Sequence, residues 1–294
     1  MSHQIHLVDV FALQRYSGNP LAVVVGDAHL PDESMLSLAA EINYSETTFV
    51  VPVPEQDGGY RVRIFTPARE IAFAGHPILG TAAVLRKLVD PVASAPLRLN
   101  LPVGPVTVTF EPSADGSEVV WFRAPTATPG AECPRDEMAA ALGISPLDIA
   151  STIPIQQISA GTAAMIVPLR SLEALRRSRL DLAAYAGLAA KGHPPLVYLF
   201  CPETRDPGND YSARFFFEAH GVREDPATGN GAAFLGAYLL EHRQQPRSGF
   251  SVRIEQGHEV RRPSLVLLRG RVVDGTREVS VGGTVIPTVR GAPV

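Results

Sequence analysis

From His6 to Phe11 apolar and polar residues alternate, the period of a half-buried strand. Ser17-Gly18-Asn19-Pro20 reads as a turn into the apolar run Leu21 to Val25. Pro31 to Ile42 places Met35, Leu38, Ala39 and Ile42 at helical spacing, and a strand from Thr47 to Val51 follows, with Glu46 at its entrance. Tyr60 to Phe65 alternates again, and a loop from Thr66 to Gly75 leads into a helix over Pro77 to Val89. That helix is apolar on nearly every side, through Ile78, Leu79, Ala82, Ala83, Val84, Leu85 and Leu88, so it is expected to be buried. Strands are expected after it at Leu97 to Leu101, Val106 to Phe110 and Val119 to Phe122, able to wrap around it. The Pro-rich stretch Ala124 to Pro134 reads as a linker.

The second half repeats the plan. Apolar Met165-Ile166-Val167 follows Gly161, a helical stretch runs from Ser171 to Arg177, and strands are expected at Leu196 to Cys201 and Ala213 to Phe217. A loop from Glu218 to Gly229 then opens onto an apolar helix, Asn230 to His242, and strands resume at Ser251 to Glu255, Ser264 to Gly270 and Glu278 to Val281. An offset of 154 residues superposes Glu70 on Glu224, Gly75 on Gly229, His76 on Asn230, Ala83 on Ala237 and Leu85 on Leu239. Matched positions alone could arise in two Ala-Leu helices; the matching order of strands before them makes duplication the better explanation. The expected organisation is an amino-terminal domain over 1–126 holding Glu46 and His76, and a carboxy-terminal domain over 127–294 holding Asp225 and Asn230. The last strand is free to cross back to the first domain.

Composition narrows the class. Of the 294 residues 45% are hydrophobic and 19% charged, as in ordinary globular chains. A net charge of −4 argues against nucleic acid as a partner, which needs concentrated Lys and Arg. Arginine-rich spots such as Arg176-Arg177-Ser178-Arg179 and Arg261-Arg262 are short and read as solvated surface. Cys133 and Cys201 lie far apart without metal-ligand spacing, which fits a reducing cytoplasm. The polar start offers no signal peptide, and no apolar run is long enough to span a bilayer.

Chemistry is expected at the two Gly-led helix starts. A helix amino terminus offers unpaired N–H groups and partial positive charge, and Gly75 and Gly229 let a ligand approach closely. If the halves face each other, both helix ends point into one cleft. His76 stands at the first start, either as a helix cap or as a polar group for substrate. Asp225 precedes the second, as a turn opener or a substrate contact. Glu70 and Glu224 are expected to satisfy loop backbone donors. Glu46, before an apolar strand, is ordinarily exposed; only burial would raise its pKa and make it a base near neutral pH. Gly229-Asn230-Gly231 begins like a dinucleotide fingerprint, but Phe234 stands where its third glycine belongs. His3 and His6 have ligand-like spacing without further ligands nearby, so no metal is expected.

These residues resemble the PhzF-like phenazine-biosynthesis protein family. The likeness runs through Asp9-Val10-Phe11, Ser17-Gly18-Asn19-Pro20-Leu21-Ala22-Val23 and Asn43-Tyr44-Ser45-Glu46-Thr47-Thr48-Phe49. It continues through Phe65-Thr66-Pro67, Glu70-Ile71-Ala72-Phe73-Ala74-Gly75-His76-Pro77 and Glu224-Asp225-Pro226-Ala227-Thr228-Gly229. Glu255-Gln256-Gly257, Arg262-Pro263-Ser264 and Val281-Gly282-Gly283 complete it, nearly end to end. The resemblance implies a diaminopimelate-epimerase-like α+β fold, two pseudo-symmetric domains each with a mostly antiparallel barrel-like sheet around a central helix. It also implies a homodimer without metal or organic cofactor. The family's catalytic carboxylate falls on Glu46, with assisting roles on His76 and Asp225. Substrate contacts fall on Gly75 and Gly229, and Asn19 matches an asparagine near the pocket. Related epimerases carry a cysteine before each helix-start glycine, where this chain has Ala74 and Thr228, so a two-thiol mechanism is excluded. Members with the phenazine reaction commonly carry Ser where this chain has Asn230, which holds a donor and an acceptor but cannot ionise.

The expected activity is cofactor-independent isomerisation of a small carboxylate-bearing metabolite by proton transfer through Glu46, with no nucleic acid or membrane as partner. An amino- or hydroxy-acid racemase or epimerase would need a second acid-base group, for which Asp225 is the candidate. A metabolite-binding protein without turnover would bind substrate but exchange no proton.

Overall fold

The computed structural model describes residues 3–28, 30–89, 95–113, 116–217, 222–242 and 249–292. The chain divides into two compact units, one over 1–123 and 281–294, the other over 124–280.

In the first unit, His3–Val10 pairs antiparallel with Asn19–Gly26. Asn19–Gly26 runs parallel to Thr47–Val50, and parallel neighbours need a crossover, here the helix Asp32–Ile42. Thr47–Val50 pairs antiparallel with Tyr60–Phe65, which in turn runs parallel to Leu97–Leu101. The crossover this time is the apolar helix Gly75–Val89. Two antiparallel steps follow, to Gly104–Pro112 and then Glu118–Arg123. Thr276–Gly291 pairs with both Glu118–Arg123 and His3–Val10 and so closes a ring of eight strands. Every residue from Gly75 to Leu85 is buried, and the helix touches strands all round the ring. The other crossover helix covers the outer face, where Met35 and Ala39 pack on Val24, Phe49 and Phe65.

The second unit follows the same itinerary. Gln156–Ala160 pairs antiparallel with Thr162–Pro168, which runs parallel to Val197–Cys201, with helices Leu172–Arg177 and Leu182–Ala190 in the crossover. Val197–Cys201 pairs antiparallel with Tyr211–Phe217, which runs parallel to Phe250–Gln256 through the apolar helix Gly229–His242. Phe250–Gln256 then pairs antiparallel with Ser264–Val273. The duplication is therefore a match of pairing partners and of strand sense. The central helices begin at Gly75 and Gly229, and keep the 154-residue offset.

Several sequence expectations change, among them the following. The stretch read as a linker contains the strand Thr128–Glu132, paired with Gln156–Ala160. All five of its residues are exposed, so it carries no apolar period by which to find it. The helix Arg135–Leu142 was not foreseen; it packs Met138, Ala139, Ala141 and Leu142 into the core of its unit. The expected loop after Phe217 holds a strand, Val222–Asp225, while residues 218–221 lie outside the described residues. Among the described residues no helix is long and apolar enough to cross a membrane.

Candidate active site

Three predicted residues meet in the first unit. Asn43 adopts a left-handed conformation (φ 56°), ends the helix Asp32–Ile42 and sends the chain toward Glu46. Beyond Glu46, the Thr48 hydroxyl lies 2.8 Å from that of Thr81 on the central helix, so strand and helix are tied where they cross. His76 occupies the helix's first turn, and its Nε2 lies 3.5 Å from Glu46 Oε2. Asn19 Nδ2 lies 3.3 Å from His76 Nδ1 on the ring's other side. Asn19 follows Gly18, whose φ is +70° and where a Cβ would sit 2.3 Å from the Val10 carbonyl oxygen; only glycine fits that turn. Glu46, His76 and Asn19 are 8%, 4% and 1% exposed, so solvent does little to stabilise charge here.

Glu46 and His76 have the spacing of an ion pair, yet burial pushes both toward their neutral forms. Burial raises the Glu46 carboxyl to about 7. Burial lowers His76 to about 3. A helix amino terminus also disfavours imidazolium. Glu46 Oε2 and His76 Nε2 have no hydrogen-bond partner among the described residues, so their contact is not a salt bridge in effect. Buried polar atoms ordinarily have partners, and atoms left without one are candidates to meet a ligand. A carboxyl titrating near 7 is suited to act as a base near neutral pH. His76 lies inside its helix rather than capping it.

Asp225 lies in the second unit, 8% exposed, at the end of Val222–Asp225. Its Oδ2 accepts a hydrogen bond from Thr228 Oγ1. The Thr228 carbonyl accepts the Ala232 N–H at 3.0 Å, which starts the helix that begins with Gly229 and Asn230. Asn230 Oδ1 is buried without a hydrogen-bond partner among the described residues. Gly75 and Gly229 are the first residues of their helices, and both are buried.

Glu70 and Glu224 do not serve loop backbone donors as expected. Arg63 grips Glu70 with two bonds of 2.8 and 2.6 Å; Arg214 grips Glu224 with bonds of 2.9 and 2.7 Å. Each guanidinium also lies over the phenylalanine two residues on, at 5.1 Å from the Phe65 ring and 4.7 Å from that of Phe216. In both units the glutamate pairs across the ladder with that same phenylalanine. A repeated Arg-x-Phe before each glutamate was readable as Arg63-Ile64-Phe65 and Arg214-Phe215-Phe216. The staple fixes the strand just ahead of His76 in one unit and at Asp225 in the other. Gln256 was also missed as a site residue. It is 1% exposed and hydrogen-bonds both Asp225 and Thr228, although it was visible only as part of a motif. Cys133 and Cys201 are buried free thiols, each pushed up by burial to about 11.

The family described as phenazine biosynthesis-like protein matches residues 8–291. An uncharacterized isomerase of Mesorhizobium japonicum is 35% identical, covering 97% of this chain and 96% of the relative. The trans-2,3-dihydro-3-hydroxyanthranilate isomerase of Pseudomonas aeruginosa is 37% identical, covering 91% of this chain and 90% of the relative. A crystal structure of a Bacillus anthracis phenazine biosynthesis protein superposes with a TM-score of 0.91 over the whole of both chains at 22% identity, which speaks for the fold. That fold is the α+β architecture of the diaminopimelate-epimerase-like proteins.

Proposed function

This chain belongs to the phenazine biosynthesis-like protein family, a family of isomerases, and from that premise we propose that it isomerises a small carboxylate-bearing metabolite with Glu46 as the base. The observation that carries the proposal is the buried Glu46 carboxyl, held near 7 beside a neutral His76 with the facing atoms of both unpaired. Glu46 takes a proton from a carbon of the substrate, that C–H electron pair shifts into the adjacent π system, and the proton returns to another carbon. Atoms and electrons balance without metal, oxidant or organic cofactor. His76, neutral at working pH, donates hydrogen bonds rather than charge. Asp225 and Asn230 handle the substrate's polar groups, and the helix starts at Gly75 and Gly229 favour its negative charge. A homodimer, implied by the family resemblance, goes with this proposal.

Asn230 is the departure from the pattern of the phenazine reaction, so the first substrates to test are trans-2,3-dihydro-3-hydroxyanthranilate and smaller unsaturated amino and hydroxy acids. Turnover should be followed in heavy water with wild type and Glu46→Gln. The wild type is expected to form product, with deuterium uptake as support, and the Gln variant to lose roughly 10²–10⁴-fold in rate while still binding. A Gln variant at the wild-type rate would sink the assignment of Glu46. Product differing from substrate only at one stereocentre would make the chain a racemase or epimerase instead.

A further inference from the structure

The Asp225 loop is held from the strand behind it. Gln256, at the end of Phe250–Gln256, donates from Nε2 to the Asp225 carbonyl oxygen at 3.0 Å and to Thr228 Oγ1 at 3.2 Å. Its Oε1 accepts the Thr228 N–H at 3.3 Å. Gln256 and Thr228 are both buried. The next residue, Gly257, has φ +80°, and a Cβ there would lie 2.4 Å from the Pro226 carbonyl oxygen. The strand end thus rests directly on the Asp225-Pro226 backbone, an approach only glycine allows.

The direction of each bond follows. The Gln256 amide cannot flip, because its nitrogen sits between two acceptors and its oxygen faces an N–H donor. With Thr228 Oγ1 already receiving an amide proton, the single proton of that hydroxyl goes to Asp225 Oδ2. That carboxylate oxygen is therefore an acceptor, and hydrogen bonding to the charged form favours it.

We propose that Thr228 and Gln256 are positioning residues for Asp225: the amide orders the threonine hydroxyl, and the hydroxyl holds Asp225 in one orientation as a carboxylate. The single hydroxyl proton of Thr228 is thereby committed to Asp225 and is not available for donation to substrate. The proposal rests on the assignment of Asp225 as a substrate-handling group.

The test titrates Asp225 by carbon-13 NMR in the full chain with labelled aspartate, its resonance assigned through Asp225→Asn. Thr228→Ser keeps the donor and should leave the midpoint within about 0.3 pH units of wild type. Thr228→Val keeps the shape, removes the donor, and should raise the midpoint by about one unit, roughly a tenfold change in ionisation constant. Gln256→Glu offers the hydroxyl a competing acceptor and should also raise it. A purely structural role would lower the unfolding temperature without moving the midpoint. A Val variant titrating like wild type, or a Ser variant shifted as far as Val, overturns the proposal. Should the Val variant fail to fold, an unshifted Gln256→Glu variant overturns it. The two assignments fail separately: wild-type turnover by Asp225→Asn removes Asp225 from the chemistry, whereas the midpoints still judge the clamp.

Discussion

Glu46 Oε2 and His76 Nε2 lie 3.5 Å apart, both buried and neither hydrogen-bonded among the described residues. A strand entrance supplies one and a helix start the other, and the Thr48–Thr81 hydroxyl contact locks the two elements together. The result is a buried carboxyl and a neutral imidazole facing each other, the two groups proposed as base and hydrogen-bond donor.

The contact with Asn19 yields a prediction for the His76 tautomer. With the amide nitrogen at Nδ1 that atom accepts, and the ring proton is expected on Nε2, facing Glu46. Nitrogen-15 spectra should show His76 as the neutral Nε2–H form, unprotonated down to about pH 4 since burial lowers its pKa to about 3. Asn19→Leu, which removes the donor, should mix the tautomers and lower turnover about tenfold or more. A doubly protonated ring at pH 6 in the wild type would refute this account of the site.

The two Arg–Glu staples should differ in what they contribute. Arg214 and Glu224 have side chains 4% and 8% exposed, and Arg214 also donates to the Leu175 and Ser178 carbonyls. Arg214→Gln leaves a buried carboxylate uncompensated and is expected to cost roughly 3–5 kcal/mol. Arg63 pairs with Glu70 at 33% exposure and Asp32 at 78%, where solvent screens the charges. Arg63→Gln should therefore cost only about 1 kcal/mol. Urea denaturation of the two variants measures the ratio, and equal losses would contradict the burial difference.

Periodicity reveals the elements whose faces differ, and Tyr60–Phe65 and Leu97–Leu101 have the bounds read from the sequence. It fails at Thr128–Glu132, where strand pairing and not burial fixes the backbone. At the site, the two glycines and the polar residues beside them are local signals, so they were legible. The burial of Glu46 is not local, since it depends on a helix that begins 29 residues later in the chain. Gln256 was hidden for the same reason: its partners are 28 and 31 residues away.

Asn230 offers a test of anion binding at the second helix start. Its Oδ1 is buried and unpaired among the described residues, beside the first turn of a 14-residue helix. Asn230→Asp would place negative charge where a substrate carboxylate is proposed to bind, weakening the attraction of the helix end. Affinity for a carboxylate substrate should fall about tenfold, read as a raised KM or by calorimetry. Asn230→Ser, which restores a hydroxyl, should retain binding. Unchanged affinity in the Asp variant would leave Asn230 as a helix-start residue without a ligand.

The buried pair also sets how stability depends on pH. In the unfolded chain Glu46 titrates near its ordinary 4.5, and in the folded protein near 7. Between those values the folded state keeps a proton that the unfolded chain has released, so the Glu46 contribution to stability falls as pH rises. His76 has the opposite slope. It stays neutral in the folded protein to about 3 but takes a proton near 6.5 when unfolded, so its contribution falls as pH drops below 6.5. From 4.5 to 6.5 the two slopes cancel, because unfolding there only moves one proton from Glu46 to His76. Glu46→Gln keeps the side-chain shape and removes one of the two titrations. The variant should gain on the wild type as pH rises from 4.5 to 7, by up to about 3 kcal/mol, and hold that gain above. Urea unfolding of both chains at pH 4.5 and pH 8 measures it. The same ionisation is the one proposed to supply the base, so wild-type kcat/KM should rise through pH 7 on the limb where the variant gains stability. A stability difference equal at both pH values would mean that Glu46 is not held protonated by burial, and with it would go the physical basis for its role as the base.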